Sequence, residues 1–377
     1  MTEKRPAGKT SSVKREIELD FVRGIAILLV LTFHYQRYDP LPLPGPVRVV
    51  MSFGWIGVDL FFVLSGFLVG GLVMKEWKAT GGVEIGRFLK RRGFKIWPSY
   101  YIYLLVVTVF HVRPLREFFW QNFFNVQNYF ESSLSHTWSL AVEEQFYLGM
   151  AALMALWTWR KWRPGTLLAT CLVLAVAVEI ERAVMAYIGG FLMYTYTHTR
   201  IDAMLLGVSL AAIRQFYPAW FQKLQSWWPL QLVLIALALV RLYIDSLPGW
   251  PPEYMQTPWL MTSVDYGCAA LLLLLYRPRR VAGREDRPAH GWLYRMVARL
   301  GIFSYGVYLW HISVERPVDW SIAHSPRALA PVVSLLLPYA LAVLLGVIAT
   351  KAVELPALRL RERLVPSRIP EASIPTG

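Results

Sequence analysis

RGIAILLVLTFHY (Arg23–Tyr35) sets two ionisable side chains at the ends of a run in which every intervening residue except Thr32 is apolar or glycine. Such a run reads as a membrane-spanning helix, yet an ionised side chain inside a bilayer costs about 2.5–3.5 kcal/mol on insertion scales. Arg23 and His34 are eleven residues apart. That is about three helical turns, so they share one face with roughly 16 Å of rise between them. Apolar runs of the same kind recur at 18–37, 53–74, 96–112, 138–158, 166–188, 199–214, 229–246, 258–276, 300–317 and 329–352. Each is near the roughly 20 residues that a hydrocarbon core requires. The chain therefore reads as an all-α, polytopic membrane helical bundle of about ten transmembrane helices; the short run at 199–214 and the polar end of 300–317 leave nine as the alternative.

Composition agrees: 55% of the residues are hydrophobic, the mean hydropathy is +0.39 and there are 16 tryptophans. The formal charge of +14 would suit a nucleic-acid binder, but its distribution argues otherwise. Basic residues gather in alternate loops, seven between Lys75 and Lys95 and seven between Arg277 and Arg299, as the positive-inside rule expects. Both termini are then cytoplasmic and no nucleic-acid partner is expected. Residues 1–16 read as a disordered basic cytoplasmic tail, 17–360 as one transmembrane domain and 361–377 as a second cytoplasmic tail. The first span is too long and lacks the cleavage site of an ordinary signal peptide. Cys171 and Cys268 fall inside spans without metal-ligand spacing, so neither a disulfide nor a metal is expected.

Polar residues inside the spans carry the chemical information. The second span, SFGWIGVDLFFVLSGFLVGGLVM, places Asp59 about 9 Å below its outer end, near the depth of His34. A carboxylate there would orient an imidazole acting as general base, or serve as a structural partner for another polar group. Ser65, Gly66, Gly70 and Gly71 read most simply as a surface for close helix packing. In SHTWSLAVEEQFYL, His136 and Trp138 lie at the outer interface, with Glu143 and Glu144 a little over one turn deeper. Adjacent residues on a helix point about 100° apart, so one of the two glutamates is expected to face the centre. FLKRRGFKIWPSYYIY brings Arg91, Arg92 and Lys95 to the inner surface, followed by Trp97, Tyr100 and Tyr101. This is either a topology signal with an aromatic belt or a site for a polyanion, since guanidinium groups grip phosphates in bidentate fashion. Asp202, His311 and Glu315 complete the polar set as candidate lining of an outer, substrate-binding cavity.

LDFVRGIAILLVLTFH, GVDLFFVLSGFL, FLKRRGFKIWPSYY, HTWSLAVEEQFYL, TRIDAMLLG, SYGVYLWH and VELP, in this order from Leu19 to Pro356, resemble the successive motifs of acyltransferase family 3. The resemblance implies a bacterial inner-membrane, multi-pass enzyme that O-acylates surface glycans or secondary metabolites from cytoplasmic acyl-CoA. It implies that Arg23 and His34 are the family's paired Arg and His, and that Arg91, Arg92 and Lys95 stand at the donor entrance. Lys95 departs from the arginine more usual at that place and would bind as a point charge. Some relatives carry a soluble extracytoplasmic domain that completes transfer; this chain is read as lacking one, so that direct acylation or hand-off to another protein is expected.

The expected reaction is transfer of an acyl group, in the first instance acetyl, from acetyl-CoA or another short acyl-CoA to a hydroxyl of an extracytoplasmic glycan or its lipid-linked precursor. His34 is the expected base, supported by Glu144, Asp59 or Glu143. The donor would contact Arg23, Arg91, Arg92, Lys95, Tyr100 and Ser65. The acceptor would contact His136, Trp138, Asp202, His311 and Glu315. A covalent acyl-enzyme on His34, Ser65 or a tyrosine stays open, as do a small glycoside or secondary metabolite as acceptor and assembly into a homo-oligomer. Membrane lipids surround the bundle in either case. The alternative class is a proton-coupled transporter or flippase, against which the sequence offers no pair of broken helices and no inverted repeat.

Overall fold

The computed structural model describes residues 16–38, 45–110, 114–188, 194–245, 258–276 and 291–367. The amino-terminal basic segment, most of the Pro-rich loop at 39–47 and the charged loop at 277–290 lie outside them. Among the described residues every regular element is helical. The principal helices are α1 (Ile17–Tyr35), α2 (Ile56–Thr80), α3 (Ile85–Val109), α4 (Trp138–Arg160), α5 (Pro164–Tyr187), α6 (Ile201–Phe216), α7 (Trp228–Asp245) and α8 (Pro258–Leu275). They are followed by α9 (Trp292–Ile302), α10 (Ser304–Trp310), α11 (Ala330–Ala349) and α12 (Leu355–Leu364). Four stretches, Phe53–Thr80, Trp228–Asp245, Pro258–Leu275 and Ala330–Leu364, are by length and composition able to cross a membrane. Other long helices carry the charges that make the protein chemically interesting.

Helix α1 opens with Glu18 and Asp20, negative charge placed where it complements the helix dipole. It packs between α2 and α9, and α2 in turn packs along α6. Close approach in this core depends on glycine. A β-carbon on Gly66 of α2 would stand 2.0 Å from the Met204 carbonyl oxygen, and one on Gly207 of α6 would stand 2.0 Å from that of Val63. The same reciprocal contact joins Gly24 to Val297 and Gly301 to Asp20, at 2.0 and 1.8 Å. The backbone of one helix can reach the other there because the glycine carries no β-carbon, the packing mode available when apolar surroundings remove a hydrophobic driving force. Gly70 meets Val208 at 3.2 Å, whereas Gly71 faces open space, so the packing surface read in the sequence ends one residue short.

The ninth apolar run is not one helix. The region expected to span 300–317 divides into α9, α10, a 3-10 turn over His311–Val314 and a short helix over Glu315–His324. The break has a local chemical reason. Ending α10 at Trp310 releases the carbonyls of Tyr308 and Leu309 from the helical ladder, and buried histidines occupy both. A second irregularity follows α11, where a π-helical turn over Thr350–Glu354 carries Glu354 inward to 3% exposure before α12 begins. Cys171 and Cys268 are both buried and free.

Replacing Gly66 by Ala is expected to force α2 and α6 apart and cost about 1–3 kcal/mol, as overpacking does. Gly71→Ala, on the same helix, is expected to be neutral. Thermal unfolding of the two variants in one detergent separates these outcomes.

Candidate active site

Three histidines from distant parts of the chain meet at one end of the bundle. His34 lies in the last turn of α1, His136 in the 3-10 turn before α4, and His311 directly after α10. The rings of His34 and His311 have centroids 4.6 Å apart at 76°, and those of His136 and His311 are 5.4 Å apart at 86°. A carbonyl only accepts, so the nitrogen facing one must carry hydrogen. His34 Nδ1 lies 2.9 Å from the Val30 carbonyl and His311 Nδ1 lies 2.5 Å from that of Tyr308. In the neutral rings both lone pairs are therefore on Nε2. His136 is held the other way round, its Nε2 donating to the Leu309 carbonyl at 3.3 Å and lying 3.5 Å from the Tyr103 hydroxyl. The Tyr308 hydroxyl donates to the His136 carbonyl at 2.8 Å and accepts from Ser139 at 2.5 Å. Tyr35, next to His34, fixes the third histidine by donating to the His311 carbonyl at 2.7 Å.

No carboxylate expected beside His34 is bonded to it. Asp59 is wholly buried and ion-paired with Arg200 of the turn before α6. Arg200 also lies over the Tyr194 ring at 4.6 Å and near those of Trp138 and Phe62. Asp202 pairs with Arg182 of α5 at 2.6 Å, both wholly buried, and Arg182 donates to the Thr199 carbonyl at 2.7 Å. Asp265 of α8, 1% exposed, lies against the same group of charges. Of the two readings open to Asp59, the geometry matches that of partner to another polar group: a buried guanidinium needs a fixed counter-ion, and Arg200 takes it. Asp202 and Trp138 likewise belong to this charged knot and its aromatic cover.

Glu143 accepts from Ser65 and Tyr147, both at 2.9 Å, and Arg92 lies 5.7 Å from the Tyr147 ring. Glu144 accepts from the Trp97 indole at 2.9 Å. These glutamates engage the third and second helices, not the imidazole. The Tyr100 hydroxyl is taken up by Asn122 and Gln127 of the segment after α3. Glu315 meets Arg37 at 3.5 Å on the histidine end of the bundle.

At the opposite end of α1 is a basic mouth. Arg23, a third exposed, bonds Asp20 at 3.2 Å, and its charge reaches Lys95. Lys95 is ion-paired with Glu354 of the π-turn. Arg91 makes a two-pronged contact with Glu362 of α12, at 2.9 and 3.3 Å. Arg200, Asp265, Glu354 and Glu362 were not among the sequence candidates. Three of them had a visible sign: Asp265 interrupts an apolar run, Arg200 stands two residues before Asp202, and Glu354 sits in VELP.

Asp59→Ala is expected to strand Arg200 and cost about 3–5 kcal/mol, whereas replacing both partners with apolar residues of similar size should recover most of that loss. Melting temperatures of the single variant and of the Asp59→Leu, Arg200→Met double variant test the pairing.

Compared with known families, residues 16–351 match the acyltransferase-domain model Acyl_transf_3. The chain is 26% identical over 336 residues to the peptidoglycan O-acetyltransferase OatA of Listeria monocytogenes, an alignment covering 80% of this chain and 50% of that protein. It is 26% identical over 347 residues to YrhL of Bacillus subtilis, named as a candidate peptidoglycan O-acetyltransferase, with 81% and 51% covered. The chain thus spans about half the length of these curated relatives, and no solved structure matches it. Since the match runs from the start of α1 to the π-turn and takes in the histidine cluster and the basic residues Arg23, Arg91, Arg92 and Lys95, the chain belongs to the acyltransferase 3 family.

Proposed function

We propose that this protein is a multi-pass membrane acyltransferase that moves an acetyl group from acetyl-CoA to a hydroxyl of a cell-envelope glycan. The observation that carries the reading is the arrangement along α1. His34 has its Nδ1–H committed to the Val30 carbonyl, which leaves Nε2 as the basic atom, and Arg23 faces the basic mouth roughly 16 Å away along the same helix. In this reading the donor's phosphates lie at Arg91, Arg92 and Arg23 on the cytoplasmic side, and the extended pantetheine arm delivers the thioester toward His34. The acceptor enters from the histidine end. His34 takes the hydroxyl proton as the oxygen attacks the thioester carbonyl, and positioning within the bundle supplies much of the remaining acceleration. The relatives' names favour peptidoglycan as the acceptor class.

Arg91 is engaged by Glu362 and Lys95 by Glu354, so donor binding on this reading exchanges a carboxylate for a phosphate at each. Charge-assisted bonds of this kind are worth about 1.5–3 kcal/mol.

His34→Ala is expected to reduce acetyl transfer by at least about a hundredfold, measured with radiolabelled acetyl-CoA and purified protein; wild-type turnover by that variant would refute the reading. Arg91→Ala should raise KM for acetyl-CoA about tenfold or more, and Glu362→Gln should lower it, because the competing carboxylate is gone.

A further inference from the structure

The carboxylates that could have supported His34 are engaged elsewhere, Asp59 by Arg200, Glu143 by Ser65 and Tyr147, and Glu144 by Trp97. What stands against His34 instead is a second imidazole. The His311 ring is 4.6 Å away, wholly buried, and fixed by its own Nδ1–H and by the Tyr35 bond to its carbonyl. Among the described residues its Nε2 has no hydrogen-bond partner. A buried polar atom left bare forfeits stability, and an apolar ring would fill the same space without that cost. The groups whose charge acts on the two rings are Arg37 on His34 and His136 on His311, with the carbonyls of Val30 and Tyr308; no carboxylate is among them.

We propose that His311 is the proton-sharing partner of His34, an imidazole occupying the place that a carboxylate takes in other acyl-transfer sites. The proposal rests on the acyltransferase reading given above. In the reaction the acceptor oxygen bonds to the acyl carbon and the carbon–sulfur bond breaks, its electron pair leaving with sulfur. The hydroxyl proton passes to His34 Nε2 and is shared with His311 Nε2 while the tetrahedral intermediate lasts. It then returns through His34 to the departing thiolate, so no net proton is released and no further reactant is needed. Two adjacent imidazoles hold one such proton readily and resist a second, because like charges at this separation repel. His311 acts through His34 and is therefore a positioning residue.

The test uses the full chain with His311→Asn, whose side-chain amide can still donate to the Tyr308 carbonyl but offers nothing in place of Nε2, and His311→Ala, which leaves room for free imidazole. With radiolabelled acetyl-CoA and soluble peptidoglycan strands as probes, His311→Asn is expected to lower kcat about ten- to a hundredfold, with KM for acetyl-CoA changed less than about twofold. His311→Ala should lose as much and regain about tenfold with added imidazole. Independently of any acceptor, nitrogen-15 spectra of histidine-labelled protein should show the His34 Nε2 signal moving on protonation together with that of His311, and this coupling vanishing in His311→Asn. An unaltered His34 titration in His311→Asn, a wild-type kcat, or a loss accompanied by a lower melting temperature and no response to imidazole would each overturn the proposal. Wild-type turnover by His34→Ala would overturn the acyltransferase mechanism itself, while the spectra would still report on the pair.

Discussion

Two buried ion pairs, with Asp265 beside them, hold the centre of this bundle in register. Asp59 comes from α2, Arg182 from α5, Arg200 and Asp202 from the entry to α6, and Asp265 from α8, and the two ion pairs tie α2 to the entry of α6 and α5 to α6. An isolated charge in such a place is prohibitive, so each arginine accepts only the rotamer and helix depth that meet its aspartate. The glycine contacts between α2 and α6 then become permissible, because the depth of both helices is already fixed. Trp138 and Tyr194 close over Arg200 and join the knot to the start of α4, next to His136.

The histidine cluster depends on the opposite device, a helix that stops. A continuous helix through 300–317 would satisfy its own carbonyls and leave His136 and His311 without acceptors. Interrupting it at Phe303 and again after Trp310 turns the Tyr308 and Leu309 carbonyls into fixed points for imidazole nitrogens. Rigid backbone acceptors set tautomers more firmly than mobile side chains do. At the other end the π-turn and α12 bring Glu354 and Glu362 to the basic mouth, where they pair with Lys95 and Arg91.

Among the described residues the helical class and most of the long helices were legible because apolar runs of nearly 20 residues have few physical outcomes. The ninth run misled, since hydropathy reports the medium around a segment and not whether its backbone is continuous. The constant rise per residue puts Asp59, Glu143 and Glu144 at about the level of His34, but rise says nothing of rotation about a helix axis. A rotation of one residue, about 100°, changes a side chain's neighbour entirely. Asp59 turned toward Arg200 and Glu144 toward Trp97 for that reason.

The chain's residues alone therefore determined that it forms apolar helices, that Arg23 and His34 occupy one face of the first, and that the motif order is that of its family. Which charge meets which was decided only by packing. Sequence fixes a residue's height on a helix through the constant rise per residue, while azimuth and partner depend on where other helices come to rest, and those positions follow from the glycine contacts and ion pairs acting together.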